Sequence, residues 1–142
     1  MRARVLAPLA KERTSGLART LGRVSILTVD DEADARDFLR ICLSDEGFEV
    51  AEAASGIEAL LLVARRRFDL AIVDVMMAGM TGLELCDQLR SRRDTRHIPI
   101  ILYSAYEMKK HSNSGLYDCA FVKPVDLGEL MGAIERLLPR AV

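Results

Sequence analysis

The 142-residue chain lacks several features that would assign it quickly to a class of protein. Charged residues interrupt every apolar run well before the roughly 20 residues that a membrane-spanning helix needs, so we expect no membrane segment. The three cysteines are widely spaced and form no Cys-x-x-Cys pair, which indicates free thiols in a reducing compartment. A net charge of −1 gives no overall attraction to nucleic acid or to anionic membranes. These absences favour a cytoplasmic globular protein, and the length suits one domain with a buried core.

The near-neutral total hides an uneven distribution of charge along the chain. Residues 1–23 carry six basic side chains and one acidic side chain, so the excess of acid lies in residues 24–142. Pro8 and Gly16 interrupt the basic stretch. We therefore predict a mobile basic arm over 1–23 and a single domain over 24–142. The arm either contacts an acidic partner or reflects a start assigned too early.

From Val24 onward, short apolar runs alternate with segments of helical periodicity. Runs that are apolar throughout predict buried parallel strands, and apolar residues three and four positions apart predict helices. Acidic capping patterns at Ser55–Glu58, Thr81–Glu84 and Asp126–Glu129 predict three helix starts. The predicted strands are 24–29, 48–53, 70–74, 98–103 and 120–122, and the predicted helices are 33–45, 56–66, one beginning at 82, 107–116 and 127–138. This alternation predicts an α/β fold in which helices cover both faces of a parallel sheet.

Polar residues follow four of the predicted strands. Asp30 and Asp31 come after the first strand, Asp74 ends the third, Ser104 follows the fourth and Lys123 follows the fifth. The carboxyl ends of parallel strands meet at one edge, where open α/β sheets bind ligands. Three carboxylates at that edge would repel one another unless a divalent cation held them, and oxygen ligands suit Mg²⁺. Together with one lysine and one hydroxyl, they predict a site for a phosphoryl group.

Four short motifs in this order resemble the receiver domain of bacterial two-component response regulators. They are Val29-Asp30-Asp31-Glu32, Asp74-Val75-Met76-Met77 followed by Gly82, Tyr103-Ser104-Ala105, and Lys123-Pro124. The separations of 43 residues from Asp31 to Asp74 and 30 residues from Asp74 to Ser104 also suit the family. The resemblance covers residues 24–138. It implies a flavodoxin-like (βα)5 sandwich of three layers, with five parallel strands in the order 2-1-3-4-5.

The resemblance also implies a role for each residue of the site. Asp74 is the expected phosphoacceptor, whose carboxylate attacks phosphorus to form an acyl phosphate. Asp30 and Asp31 are expected to hold Mg²⁺ together with Asp74 and the backbone carbonyl of Met76. Lys123 is expected to pair with the carboxylate and then with the phosphoryl group, and the Ser104 hydroxyl to donate a hydrogen bond to it. A cis peptide bond is expected before Pro124.

The chain departs from the family pattern around this site. Ala78 stands where the family usually has proline, and Ala120 occupies the place of the aromatic switch residue. The segment between Ser104 and Lys123 is also a few residues shorter than usual. Met76 and Tyr106 lie two positions after Asp74 and Ser104, where polar residues of the family can orient the hydrolytic water. The two side chains present here predict slow self-dephosphorylation.

These observations predict a stand-alone receiver that is a signalling phosphoacceptor, catalysing only its own phosphorylation and dephosphorylation. The expected donor is a sensor histidine kinase or a histidine phosphotransfer protein, and the expected output is contact with a downstream protein. No helix-turn-helix follows the last helix, so we expect no direct DNA binding. One alternative is a pseudo-receiver that binds its partners without phosphate. The less favoured alternative is a Mg²⁺-dependent phosphohydrolase, for which no Asp-x-Asp, GxGxxG or P-loop motif is present.

Overall fold

A computed structural model describes residues 23–106 and 115–138. The strands are β1 (Ser25–Val29), β2 (Glu49–Ala53), β3 (Leu70–Asp74), β4 (Ile100–Ser104) and β5 (Cys119–Val122). The helices are α1 (Ala33–Asp45), α2 (Gly56–Arg65), α3 (Gly82–Arg90) and α4 (Leu127–Leu137). The predicted arm lies outside the described residues apart from Arg23. The predicted helix over 107–116 also lies outside them, except for its last two residues, which are not helical.

The five strands form one parallel sheet in the order β2-β1-β3-β4-β5. This arrangement confirms the flavodoxin-like sheet that the resemblance implied. Strands β1, β3 and β4 are buried along their whole length, while the edge strands β2 and β5 are partly exposed. The continuous apolar runs of the central strands follow from this burial, because helices cover them on both faces.

Two separate apolar cores lie on the two faces of the sheet. One core packs α2 and α3 against the sheet and includes Leu27, Val73 and Leu102. The other packs α1 and α4 against the opposite face and includes Ile72 and Tyr103. Successive residues of a strand point to opposite faces, so neighbours such as Leu102 and Tyr103 enter different cores. The same alternation decides from which face each side chain at the strand ends approaches the site.

The helix starts confirm the predicted caps only in part. The Thr81 hydroxyl accepts from the Glu84 N–H at 3.2 Å and the Glu84 carboxylate accepts from the Thr81 N–H at 2.9 Å, a complete capping box. Ser55 also caps α2, but the Glu58 carboxylate accepts from the Ala54 N–H instead of the Ser55 N–H. Asp126 occupies the N-cap position of α4, as predicted, but its side chain makes no capping hydrogen bond.

The strand boundaries agree with the sequence to within two residues. The largest difference is at β4, which was predicted from Ile98 but begins at Ile100. Pro99 precedes the strand and has no N–H to donate to a ladder, although its carbonyl accepts from the Ala71 N–H at 2.9 Å. Gly47, which follows α1, has a φ of 98°, a left-handed value that suits glycine at the end of a helix.

Three other expectations concern the cysteines, membrane-spanning helices and the peptide bond before Pro124. All three cysteines are free thiols, and Cys86 is fully buried in the core. Within residues 23–106 and 115–138, none of the helices has the length and apolar character needed to span a bilayer. The peptide bond between Lys123 and Pro124 is cis, as expected.

Candidate functional site: an acidic cluster at the carboxyl end of the sheet

The acidic residues predicted from the strand ends meet at one edge of the sheet. Asp30 follows β1 and is fully buried, Asp74 ends β3 and is 2% exposed, and Asp31 is exposed beside them. One carboxylate oxygen from each of the three residues lies within 4.8 Å of the other two. Oxygen ligands at this spacing suit a hard divalent cation such as Mg²⁺.

Backbone contacts hold the two strand ends in place. The Asp30 N–H donates to the Ala53 carbonyl at 3.1 Å, which ties the end of β1 to β2. At the end of β3, the Val75 N–H donates to the Tyr103 carbonyl and the Gly82 N–H donates to the Val75 carbonyl, both at 2.9 Å. The start of α3 therefore lies directly against the end of β3. A Cβ atom on Gly82 would lie 2.3 Å from the Asp74 carbonyl oxygen, so only glycine fits there without movement of the backbone.

Lys123 brings a positive charge to the two buried acids. Its Nζ lies 3.3 Å from Oδ2 of Asp30, 3.5 Å from Oδ2 of Asp74 and 3.5 Å from Oε1 of Glu32. Partial burial disfavours the ammonium form, but the neighbouring carboxylates outweigh it and raise the pKa of Lys123. The lysine is therefore charged and lies where it can pair with a carboxylate or with a phosphoryl group.

The buried carboxylate of Asp74 is not fully neutralised by these contacts. Burial, followed by the charge of Asp30, raises the pKa of Asp74 from 3.8 to about 6, although Lys123 and the Met76 N–H act in the opposite direction. A divalent cation between the carboxylates would relieve this repulsion. The residues present therefore fit a bound Mg²⁺ ion in both ligand type and charge.

The remaining predicted site residues lie around this cluster. The Met76 N–H donates to Oδ1 of Asp74 at 3.2 Å, and the Ala78 N–H donates to Oδ2 of Asp31 at 3.3 Å, so the loop after β3 contacts two of the acids. Ser104 is buried at the end of β4, where its carbonyl accepts from the Lys123 N–H at 2.8 Å. Its hydroxyl accepts from the Tyr106 N–H at 3.2 Å. Ser104 thus lies at the same edge of the sheet as the acids.

Sequence reasoning missed two residues that contact the charged groups. The Tyr103 hydroxyl donates to Oδ2 of Asp30, and the Lys123 Nζ lies 4.7 Å from the centre of the Tyr103 ring. Glu32 contacts Lys123 and also donates its N–H to Oδ1 of Asp30 at 2.9 Å. A signal for Tyr103 was available in strand alternation, which places it on the same face of the sheet as Asp74 in the neighbouring strand.

Comparison with known proteins agrees with this geometry. The family model described as the response regulator receiver domain matches residues 26–135, most of the chain. The chain belongs to the response regulator receiver family. This confirms the resemblance that the four motifs suggested, and receiver domains are signalling modules in two-component systems.

Individual relatives and solved structures of receivers support the assignment. The response regulator MprA of Mycobacterium leprae is 42% identical over 118 residues, which are 81% of this chain and 51% of that protein. The phosphate regulon transcriptional regulatory protein PhoB of Rhizobium meliloti is 39% identical over 82% of this chain and 52% of its own length. This receiver chain thus spans about half the length of these curated relatives.

Two solved receiver structures share this fold over nearly their whole chains. Chemotaxis protein CheY4 of Vibrio cholerae has a TM-score of 0.77 at 32% identity, covering 82% of this chain and 100% of that one. Response regulator TrrA of Thermotoga maritima, solved in complex with Mg²⁺-BeF, has a TM-score of 0.72 at 34% identity. That match covers 81% of this chain and 99% of TrrA.

Proposed function

We propose that this receiver accepts a phosphoryl group on Asp74 in a Mg²⁺-dependent reaction and signals by contact with another protein. The observation that carries the proposal is the cluster of three carboxylates within 4.8 Å, with the Lys123 Nζ 3.5 Å from Oδ2 of Asp74. Asp74 is nearly buried, so a nucleophile there is accessible only from the open edge of the sheet. A phosphodonor approaching that edge meets the acceptor, the cation site and the lysine together.

The chemistry divides among residues of the site. A carboxylate oxygen of Asp74 forms the new bond to phosphorus, while the bond from phosphorus to the donor breaks and the donor keeps that electron pair. Asp30, Asp31, Asp74 and the backbone carbonyl of Met76 are the proposed metal ligands. Bound there, Mg²⁺ would supply positive charge that offsets the charge of the acceptor and of the phosphoryl oxygens.

Lys123 and Ser104 are the proposed contacts for the phosphoryl group itself. The lysine already lies between two carboxylates, so its ammonium can exchange one anionic partner for another over a short distance. The Ser104 hydroxyl accepts a backbone hydrogen bond, which leaves its own proton free to be donated to a phosphoryl oxygen. Movement of Ser104 towards that oxygen would also draw Tyr106, because the two are hydrogen-bonded.

The proposed phosphodonor is a sensor histidine kinase or a histidine phosphotransfer protein, which is the usual donor class for this family. That the receiver acts alone, without direct DNA binding, stays a prediction, because the curated relatives are about twice as long as the matched region. The cytoplasmic location and the division into an arm over 1–23 and a domain over 24–142 also stay predictions. The family match speaks against the phosphohydrolase alternative, since receivers are signalling modules.

Intact-mass measurement after incubation with acetyl phosphate and Mg²⁺ tests the proposal. We expect the wild type to gain one phosphoryl group, and we expect no gain in Asp74→Asn or in excess chelator. Asp118→Asn, a change of the same type at the opposite end of the sheet, should be phosphorylated like the wild type. An unchanged wild-type mass, under conditions that label another receiver, would favour the pseudo-receiver alternative.

A further inference from the structure

Tyr103 contacts one acidic and one basic residue of the site, Asp30 and Lys123, and none of the proposed catalytic or metal-binding roles uses it. The residue is 4% exposed and belongs to the core beneath α1 and α4. Its hydroxyl donates to Oδ2 of Asp30, and its ring lies 4.7 Å beneath the Lys123 Nζ. A buried aromatic side chain in such a core requires no hydroxyl for packing, so the polar contact at its tip needs a separate explanation.

The hydroxyl is one of three donors that contact the Asp30 carboxylate. Oδ1 of Asp30 accepts from the Glu32 N–H at 2.9 Å, and Oδ2 accepts from both Tyr103 and Lys123. A carboxylate offers about four acceptor positions, so three are occupied and one is left for a cation or its water. The carboxylate is fixed from three directions, although it lies in a site where like charges would push it away from Asp74.

Tyr103 also lies beside the contact between Lys123 and Asp30. The Lys123 Nζ lies 3.3 Å from Asp30 and 3.5 Å from Asp74, so it is shared between the two acids. Without the phenol, the fully buried Asp30 carboxylate would lose a donor and would draw the ammonium closer, since a buried charge needs compensation. That tighter pair would remove Asp30 from the cation site and Lys123 from Asp74.

We propose that Tyr103 is a positioning residue for the cation site: its hydroxyl satisfies Oδ2 of Asp30 in place of a closer lysine contact, which keeps Asp30 open to Mg²⁺ and Lys123 between the two acids. The inference rests on the proposed Mg²⁺-dependent function. A purely structural role would predict a loss of stability alone. A positioning role predicts weaker Mg²⁺ binding by a protein that remains folded. Groups that orient a metal ligand from behind typically change metal affinity by about 10- to 100-fold when removed.

The test is a calorimetric titration of Mg²⁺ into the phosphate-free full chain, with thermal unfolding measured on each sample. Tyr103→Phe keeps the ring and its packing, and we expect it to weaken Mg²⁺ binding by about tenfold. Tyr117→Phe removes the same atom from a tyrosine in the opposite core and should bind Mg²⁺ as the wild type does. Equal affinity in Tyr103→Phe and the wild type would overturn the inference and leave the proposed function standing. Absence of Mg²⁺ binding by the wild type would overturn both.

A second pair of variants tests the part played by the lysine. If loss of the phenol acts by tightening the contact between Lys123 and Asp30, it should have little effect once the ammonium is removed. We therefore expect Tyr103→Phe/Lys123→Met to bind Mg²⁺ as tightly as Lys123→Met alone. A tenfold loss that persists in the Lys123→Met background would overturn the positioning role through the lysine. Both variants lack the ammonium, so the comparison measures the effect of the phenol when the lysine contact is absent.

Discussion

At the amino end of the sheet, Asp69 and Asp118 each precede a strand, and each is bonded to the first residue of the neighbouring strand. The Asp69 carboxylate accepts from the Ser25 N–H at 2.8 Å while the Asp69 N–H donates to the Ser25 carbonyl. Asp118 makes the same pair of bonds with Ile100, and its carboxylate also pairs with Arg90 at 3.0 Å. At the carboxyl end, in contrast, Asp30 and Asp74 lie against each other and share one lysine.

The difference shows how one residue type serves structure at one end and chemistry at the other. An aspartate that accepts from a backbone N–H satisfies a group that the sheet would otherwise leave unpaired at its end. Burial and the neighbouring charge of Asp30 raise the pKa of Asp74, and the two carboxylates together carry negative charge that a cation can offset. The carboxyl end of the sheet, where acidic charge is in excess, is therefore the end that can bind a cation.

The largest expected difference between the two ends of the sheet is in how an Asp→Asn change alters stability in the absence of metal. Asp74→Asn should have the larger effect. The pKa of Asp74 is raised from 3.8 to about 6, so the folded state binds this proton more tightly than the unfolded state. The stability that the folded state gains by binding a proton at Asp74 is fully present below about pH 4 and is lost as the pH rises through about 6. The asparagine variant carries no charge there and should be more stable than the wild type at pH 7.5, by up to about 3 kcal/mol.

Urea unfolding of both proteins in chelator, at pH 4 and at pH 7.5, measures this difference. The difference should be small at pH 4 and should grow through the window between about 4 and 6. Asp118→Asn, at the amino end, should give no gain at either pH. A lower stability of Asp74→Asn than of the wild type at pH 7.5 would mean that the charge of Asp74 stabilises the fold, which contradicts the proposed difference between the two ends.

The next effect concerns how closely the backbone packs at the carboxyl end. Gly82→Ala would place a Cβ atom 2.3 Å from the Asp74 carbonyl oxygen and 2.7 Å from the Val75 Cα. Both neighbours are backbone atoms, so the end of β3 must move, at a cost of about 2 kcal/mol. We expect slower phosphorylation as well, since the shift displaces the acceptor.

Gly132→Ala is the matched control, since the nearest atom to its new Cβ would be the flexible Arg136 Nη1 at 3.5 Å. Alanine is favoured over glycine inside a helix, so this variant should gain roughly 0.5–1 kcal/mol. Chemical unfolding and the acetyl phosphate reaction report both effects. Wild-type stability of Gly82→Ala would mean that the backbone at the end of β3 can move to accommodate the new Cβ atom at little cost.

The sequence was sufficient to predict the sheet because its pattern is local. The central strands are apolar throughout and the helices show clear periodicity, so α1 was predicted at its observed bounds and β3 at its observed end. The acidic site followed from the same pattern, because parallel strands place Asp30 and Asp74 at one edge whatever the details of packing. The parallel arrangement of the strands was therefore enough to predict where the acidic site lies.

What the sequence could not supply depends on contacts across long separations. The bond from Tyr103 to Asp30 joins residues 73 positions apart, and it depends on a rotamer rather than on a pattern. The paired bonds of Asp69 and Asp118 depend on strand register, which was not predicted residue by residue. At Asp126 the sequence predicted the start of α4 but not the side-chain conformation, which makes no capping bond.

A smaller effect is expected from the acids of the amino end. Asp69→Ala or Asp118→Ala removes an acceptor from the buried Ser25 or Ile100 N–H, which should cost about 1.5 kcal/mol of stability. Phosphorylation and Mg²⁺ affinity should stay at wild-type values, because neither residue contacts the carboxyl end. Asp118→Asn keeps an acceptor oxygen and should lose less than Asp118→Ala, and alanine at the exposed Asp94 should have little effect. A fall in Mg²⁺ affinity in either alanine variant would break the separation between the two ends.

The smallest effect concerns the rim of the carboxyl end, where apolar surface adjoins the charged site. Met76 and Tyr106 are 57% and 70% exposed, and their N–H groups bond to the Asp74 carboxylate and the Ser104 hydroxyl. Their side chains therefore lie beside the place where water must approach an acyl phosphate on Asp74. We therefore predict that the thioether and the phenol orient that water poorly and shield the phosphorus.

Met76→Asn/Tyr106→Glu would replace the thioether by an amide and the phenol by a carboxylate, without changing the backbone bonds that hold the acceptor. One added hydrogen bond to the attacking water is worth about 0.6 kcal/mol of barrier, so dephosphorylation should become about threefold faster. The measurement is the decay of the phosphorylated mass after the phosphodonor is removed, with Mg²⁺ held constant. Leu61→Asn, at a residue of the same 57% exposure on α2, controls for the loss of exposed apolar surface. Decay of the double variant at the wild-type rate or slower would mean that the rim does not shield the acyl phosphate, and that its lifetime is set by the charged residues alone.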